Sequence, residues 1–173
     1  RGSIPDIFSI QIANSLLFAG FTLETLAITN SNQPHQNSEK IFGILGIVSI
    51  IIIWLIGSFP SNLRVFIASL LCIAIYATCS LYLLYYPDNS LLRRIIGGLF
   101  ALFCLSNLFR AISSFLSTAT GYTLFSNNVS QTIDFLLLFF IMLISGIGFI
   151  LLIKEKDDTI LKDSESFNRG LVE

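Results

Sequence analysis

Apolar and polar positions along this chain fall into long blocks. Five apolar runs, at roughly 7–28, 41–58, 63–86, 91–117 and 131–153, are separated by four polar breaks. Each run reaches or approaches the about 20 residues that carry an α-helix across a bilayer. The second is the shortest, but IFGILGIVSIIIIWLIGS holds no charge. The breaks carry strong turn signals: TNSNQPHQNSEK with Pro34, SFPSN at Pro60, YPDNS at Pro87, and STATGYTLFSNNVSQT around Gly121. The pattern predicts an all-α, polytopic membrane helix bundle of five transmembrane helices. A bundle over residues 1–153 is followed by a tail over 154–173.

Composition supports that class. Hydrophobic residues make up 54% of the 173 and charged residues 12%, about half the charged share of a soluble domain. Mean hydropathy is +0.79. The net charge of −1 offers nothing to nucleic acid. Cys72, Cys79 and Cys104 all lie within apolar runs and read as small core residues. Cys72 and Cys79 are separated by about 10 Å of helix axis, too far to bridge. The one histidine, His35, sits in a polar loop, and no Cys/His spacing of a metal site is present. Ser, Asp and His do not cluster, and neither a Gly-rich phosphate loop nor a facing carboxylate pair occurs. The expectation is a chain with no catalytic set, metal or cofactor.

Lys and Arg set the expected orientation. With the C-terminus inside, the inner segments hold Lys40, Arg93, Arg94, Lys154, Lys156, Lys162 and Arg169, against Arg1, Arg64 and Arg110 outside. Phe59, Tyr85 and Tyr86 mark span edges. The pairs Gly43/Gly46, Gly97/Gly98 and Gly146/Gly148 predict close helix contacts. Arg1-Gly2-Ser3 precedes a span with no cleavage pattern of a signal peptide. With no initiator Met, the chain is expected to be part of a longer protein.

Ionisable groups inside spans are few, and each is a candidate site. Arg110 lies about two turns from the outer end of the fourth span and Asp134 about one turn from the outer end of the fifth. Consecutive antiparallel helices would bring them to similar depth, as an ion pair at an outward-facing cavity, with Asn107 extending the polar seam. The alternative is an Arg110 that snorkels and an Asp134 held by its helix dipole. Glu24, near the inner end of the first span, faces either Arg93 or Arg94 of the fourth span or the interface. Asn14 reads as an interhelical hydrogen bond. Asn128-Val-Ser matches a glycosylation acceptor, a pattern common by chance. No mid-span Pro, repeat or midplane charge is visible, which weighs against a coupled transporter.

After Ile153 the tail is helix-compatible. Ile153, Ile160 and Phe167 recur every seven residues, with Leu161 beside them, among Lys154, Glu155, Lys156, Asp157, Asp158, Lys162, Asp163 and Glu165. The readings are a seam that pairs with a second copy, giving a homodimer, or a solvated spacer. A last span continuing as one rigid helix into the cytoplasm would transmit tilt or rotation.

Two stretches resemble known families. LKDSESFNRGLVE is similar to the helical entry of a PAS domain, matched by Leu161, Ser164, Glu165, Phe167, Arg169, Leu171, Val172 and Glu173. IPDIFSIQIANSLLFAGFTL resembles the third span of multi-helix sensor regions in prokaryotic histidine kinases and diguanylate cyclases, through Pro5, Asp6, Ser9, Ile10, Ala13, Asn14 and Leu16. Arg110 and FILLIKEKDD resemble the same group. The resemblance implies a sensory input module in a prokaryotic plasma membrane. It also implies two further spans ahead and a signalling helix at 154–173 leading to PAS and kinase or cyclase domains outside these residues. The alternatives are a small transporter, channel or integral-membrane enzyme with a regulatory tail, and a membrane anchor for assembly.

Overall fold

The computed structural model describes residues 6–30, 36–85, 90–116 and 129–170, with side chains described except at 6–9, 36–37, 129–135, 163 and 167–170. Tyr86, His35, Asn128 and the chain ends lie outside that set. The described residues form five α-helices: α1 (Asp6–Asn30), α2 (Gln36–Leu55), α3 (Ser61–Tyr85), α4 (Leu91–Leu116) and α5 (Val129–Gly170). All five contain a stretch long and apolar enough to cross a membrane. The five expected spans fall within a few residues of these helices, and α5 runs unbroken past residue 153 for 42 residues in all.

The helix starts follow local chemistry. Ser90 caps α4: its hydroxyl accepts the Arg93 N–H at 3.4 Å, one of the orphan donors of a first turn. At α3, the Pro60 carbonyl accepts the Arg64 N–H at 3.1 Å. Between α2 and α3 the chain turns through Ile56–Pro60, closed by Phe59 N–H donating to the Ile56 carbonyl at 2.9 Å.

Two antiparallel hairpins and a fifth helix make the bundle. In the α1–α2 hairpin, Asn30 bonds Ser38 and Glu39 at one end, Gly46 abuts Thr22 in the middle, and Gly57 abuts Gln11 at the other end. In the α3–α4 hairpin, Ser80 Oγ donates to the Gly97 carbonyl at 2.8 Å. Cys104 Sγ lies 3.9 Å from the Ile73 carbonyl, and Ser114 Oγ donates to the Asn62 carbonyl at 2.6 Å. As the α3 partner falls from 80 to 62, the α4 partner rises from 97 to 114, so one register holds along the whole hairpin. α5 runs antiparallel to α4, with Gly148 against Ile96 and Glu155 against Ser90. α1, α3 and α5 therefore point the same way.

Burial is inverted relative to a water-soluble bundle. The interior holds Gln11, Thr22, Thr25, Thr29, Ser49, Ser69, Ser80 and Ser145 beside its Phe, Ile and Leu, whereas Leu16, Leu23, Ile44, Leu55, Leu105, Phe109 and Ile150 point outward. Polar groups inside must find partners, and most hydroxyls donate to the carbonyl four residues back: Thr22 to Phe18, Thr25 to Phe21, Thr29 to Thr25, Ser49 to Leu45 and Ser69 to Val65. An outer surface of bare hydrocarbon side chains on all five helices is consistent with a multi-pass membrane protein.

One glycine of each expected pair makes the close contact. A Cβ at Gly46 would lie 2.7 Å from Thr22 Oγ1, at Gly97 3.0 Å from Leu84 Cγ, and at Gly148 2.7 Å from Ile96 Cδ1, while Gly43, Gly98 and Gly146 have open space. Gly97/Gly98 and Gly146/Gly148, one and two apart, occupy different faces of their helices, while Gly43 and Gly46 differ in level by nearly a turn and it is Gly46 that meets Thr22.

Candidate functional site

The polar centre of the bundle lies where α1, α3 and α5 meet. Glu24 on α1 receives two hydrogen bonds from other helices: Tyr76 Oη of α3 donates to Oε2 at 2.9 Å, and Ser145 Oγ of α5 donates to Oε1 in a short contact. Each carboxylate oxygen thus has its own hydroxyl donor. Tyr76 is wholly buried, 0% exposed. Its ring packs on Phe21 at 5.3 Å, Phe100 at 5.1 Å and Phe103 at 5.0 Å between centroids. Two edge-to-face contacts and one tilted contact hold the ring, and its buried hydroxyl finds its partner in Glu24.

Cys79, also 0% exposed, lies below this group, with Sγ 4.0 Å from the Thr25 carbonyl. Arg93 is 2% exposed, so a second charged side chain is buried toward the same end of the bundle. The hydrogen bonds to the Glu24 carboxylate come from Tyr76 and Ser145, on α3 and α5. Arg94 is exposed. The Glu24 side chain is half-buried, with hydrogen bonds from α3 and α5. A helical side chain leans toward the N-terminus of its helix, which carries the Glu24 carboxylate deeper than its place in the sequence.

The depth can be read on α5. Ser145 lies ten residues before Glu155, about 15 Å along the axis. Glu155 Oε2 accepts from Ser90 Oγ at 2.8 Å where α4 begins. α5 packs through the buried positions Ile141, Ser145, Gly148 and Leu152, spaced four and three apart, with Leu138, Met142 and Phe149 packed beside them. The remainder of α5 is largely exposed: Phe139, Phe140, Leu143, Ile147, Ile150, then Ile153, Ile160 and Leu161 beyond the bundle. Ile153 and Ile160 share a face of the tail, whereas the Phe167 side chain is outside the described residues.

At the opposite end, Arg110 is half-buried on α4 and lies within electrostatic range of Cys72. Asp134 belongs to α5, but its side chain falls outside the described residues, so the expected pair is not placed. Asn107 is buried, and its Nδ2 donates to the Phe103 carbonyl of its own helix at 3.0 Å, so that bond turns the amide back onto α4. Ser114 and Asn62 join α3 to α4 there, and the rings of Phe66 and Phe115 stand 5.3 Å apart.

Sequence reading missed Tyr76, Ser145 and Gln11, each a single polar atom inside an apolar run. With its amide oriented for hydrogen bonding, Gln11 donates to the Ile53 carbonyl at 2.8 Å and accepts from the Gly57 N–H at 3.3 Å. It therefore serves the C-terminal turn of α2. Asn14, expected to bond across helices, makes no such bond among the described residues, and Gln11 one turn earlier takes that part. Ser15 Oγ accepts from Trp54 Nε1 at 3.0 Å. All three cysteines are free thiols, and among the described residues no group of His, Cys, Asp and Glu is arranged to hold a metal ion. No known family, curated protein or solved structure matches this chain.

Proposed function

We propose that this chain is the membrane-embedded input module of a prokaryotic signalling receptor, with α5 as its output element. The parent would be a PAS-containing sensor histidine kinase, or a diguanylate cyclase, in the plasma membrane. The C-terminus would be cytoplasmic, and two copies would pair through residues 154–169. The observation that carries the reading is α5 itself, an unbroken helix from Val129 to Gly170 that leaves an apolar bundle and continues through a run of charge. A helix attached along one face, with a polar tie at Ser145 and another at Glu155, is suited to tilting or turning as a unit. The resemblance of 161–173 to a PAS entry gives that motion a recipient.

The test is helical phase. In the full receptor, one to seven residues are inserted after Asp158, an exposed position, and kinase or cyclase output is measured in membranes. Each residue turns the helix by about 100°, so output is expected to vary with phase and return near its starting value at seven. Output indifferent to every insertion overturns the reading.

One observation favours a second reading, a small transporter or channel. Glu24 lies about 15 Å from the level of Glu155, near half the hydrocarbon thickness of about 30 Å, and an intramembrane carboxylate is a feature of ion and proton routes. Flux of protons or cations in proteoliposomes, lost on Glu24→Gln, would establish it.

A further inference from the structure

We propose that Glu24 is a proton-binding site that controls the docking of α5, so that the stimulus relayed by the input module includes a proton. The inference rests on the reading of α5 as the output element. It starts from an asymmetry among the hydroxyls. Eight Ser and Thr side chains donate to the carbonyl four residues back in their own helix: Ser15, Thr22, Thr25, Thr29, Ser49, Ser69, Thr78 and Thr159. Ser80 and Ser114 donate to carbonyls of the neighbouring helix, whereas Ser145 donates across the bundle to a carboxylate, Glu24. An equivalent local acceptor, the Ile141 carbonyl one turn back, remains open to it.

Charge decides between the two acceptors. A hydrogen bond to an ionised carboxylate is about twice as strong as one to a neutral carbonyl. With Glu24 ionised, Oε1 holds the Ser145 hydroxyl and with it the middle of α5. With a proton on Glu24 that advantage is gone, the carboxyl becomes a donor as well as an acceptor, and Ser145 turns back to Ile141. Tyr76 stays, because three aromatic rings fix it. The tie to α3 therefore persists while the tie to α5 is released. Gly148 against Ile96 is an apolar contact over which α5 can then turn.

The groups around Glu24 leave it as the one that changes charge. From α3 it meets Tyr76 and from α5 it meets Ser145, while Cys79 of α3 and Arg93 of α4 are buried toward the same end of the bundle. The charges of α2, Glu39 and Lys40, are exposed at its first turn.

The experiment measures α5 directly. Nitroxide labels are placed at Leu91→Cys and Thr159→Cys, with Cys72, Cys79 and Cys104 replaced by Ala, and the distance between them is followed in proteoliposomes from about pH 4.5 to about pH 9. A shift in distance with a single inflection is expected. Glu24→Gln and Ser145→Ala are each expected to hold the low-pH distance throughout. No shift with pH, or the same titration in Glu24→Gln, overturns the proposal. As a check free of substitutions, the native chain is treated with dicyclohexylcarbodiimide, which adds to protonated carboxyl groups. The adduct at Glu24 is expected to fall about tenfold for each pH unit above the inflection, and a pH-independent yield also overturns the proposal. The phase series above fails if α5 is not the output element, whereas the distance titration fails only if Glu24 does not govern α5, so the two failures are distinguishable.

Discussion

The Ser145 hydroxyl of α5 donates to the Glu24 carboxylate of α1, 121 positions away in the chain, rather than to its own helix. With Tyr76 on the other oxygen, one carboxylate joins the first, third and fifth helices. Truncating Glu24 leaves a wholly buried Tyr76 hydroxyl without its acceptor, a penalty of about 1–3 kcal/mol. Tyr76→Phe leaves Glu24 Oε2 without its donor, but that side chain is only half-buried and keeps Ser145 on Oε1, so a smaller cost of about 1 kcal/mol is expected. Unfolding in mixed micelles should therefore rank Glu24→Ala below Tyr76→Phe in stability. In the double variant the two changes should be markedly less than additive.

Legibility in the sequence divides along physical lines. The helices were readable because hydrocarbon length and turn residues fix where they start and stop: the runs broken at Pro34, Pro60 and Pro87 became α1–α4, and the Pro-free tail continued α5. The site was less readable because it depends on which face a polar residue occupies. Glu24 was singled out as ionisable, yet its partners are a tyrosine and a serine that sequence treats as ordinary span residues. Arg110 and Asn107 were grouped by spacing, and the Asn107 amide instead satisfies a carbonyl of its own helix. A buried tyrosine in a run of Ile, Leu and Ala was the available signal at 76, since its hydroxyl has to bond to something.

The glycine pairs give a second prediction. Gly43→Ala meets open space and removes a helix-interior glycine, so it is expected to be neutral or to stabilise by up to about 1 kcal/mol. Gly46→Ala places a methyl 2.7 Å from Thr22 Oγ1. That atom is already bonded to the Phe18 carbonyl at 2.8 Å and belongs to a stiff β-branched side chain, so a loss of about 1–3 kcal/mol is expected. The same micelle unfolding assay compares the two, and equal stabilities would show that α1 and α2 are not packed at Thr22.

Arg110 and Asp134 make a third test, of the proposed pair at the far end of the bundle. If they are partners, Arg110→Gln and Asp134→Asn should each weaken the fold, and the double variant should recover a coupling of about 0.5–3 kcal/mol. Strictly additive losses in a double-mutant cycle would mean that each charge serves a separate role, the snorkelling arginine and the dipole-held aspartate.

Orientation is the last prediction, because the relay requires α5 to deliver its motion to the side where an output domain is held. Seven basic residues against three favour the C-terminal end of α5 as the inner one. The structure places Lys40, Arg94, Lys154 and Lys162 exposed, where they can meet water or anionic headgroups. Helix register adds that these residues share one end of the bundle. α1 ends and α2 begins there, α3 ends and α4 begins there, and Ser90 reaches Glu155 there. Protease added to intact cells should therefore spare residues 154–170, and protease added to inverted membrane vesicles should cut them. Modification at Lys154, Lys156 and Lys162 by a membrane-impermeant amine reagent should follow the same rule. Cleavage of the tail in intact cells would place it outside and remove α5 as a route to any cytoplasmic domain. The Glu24–Tyr76–Ser145 group would keep its geometry, and the transporter reading would then be the one left to test.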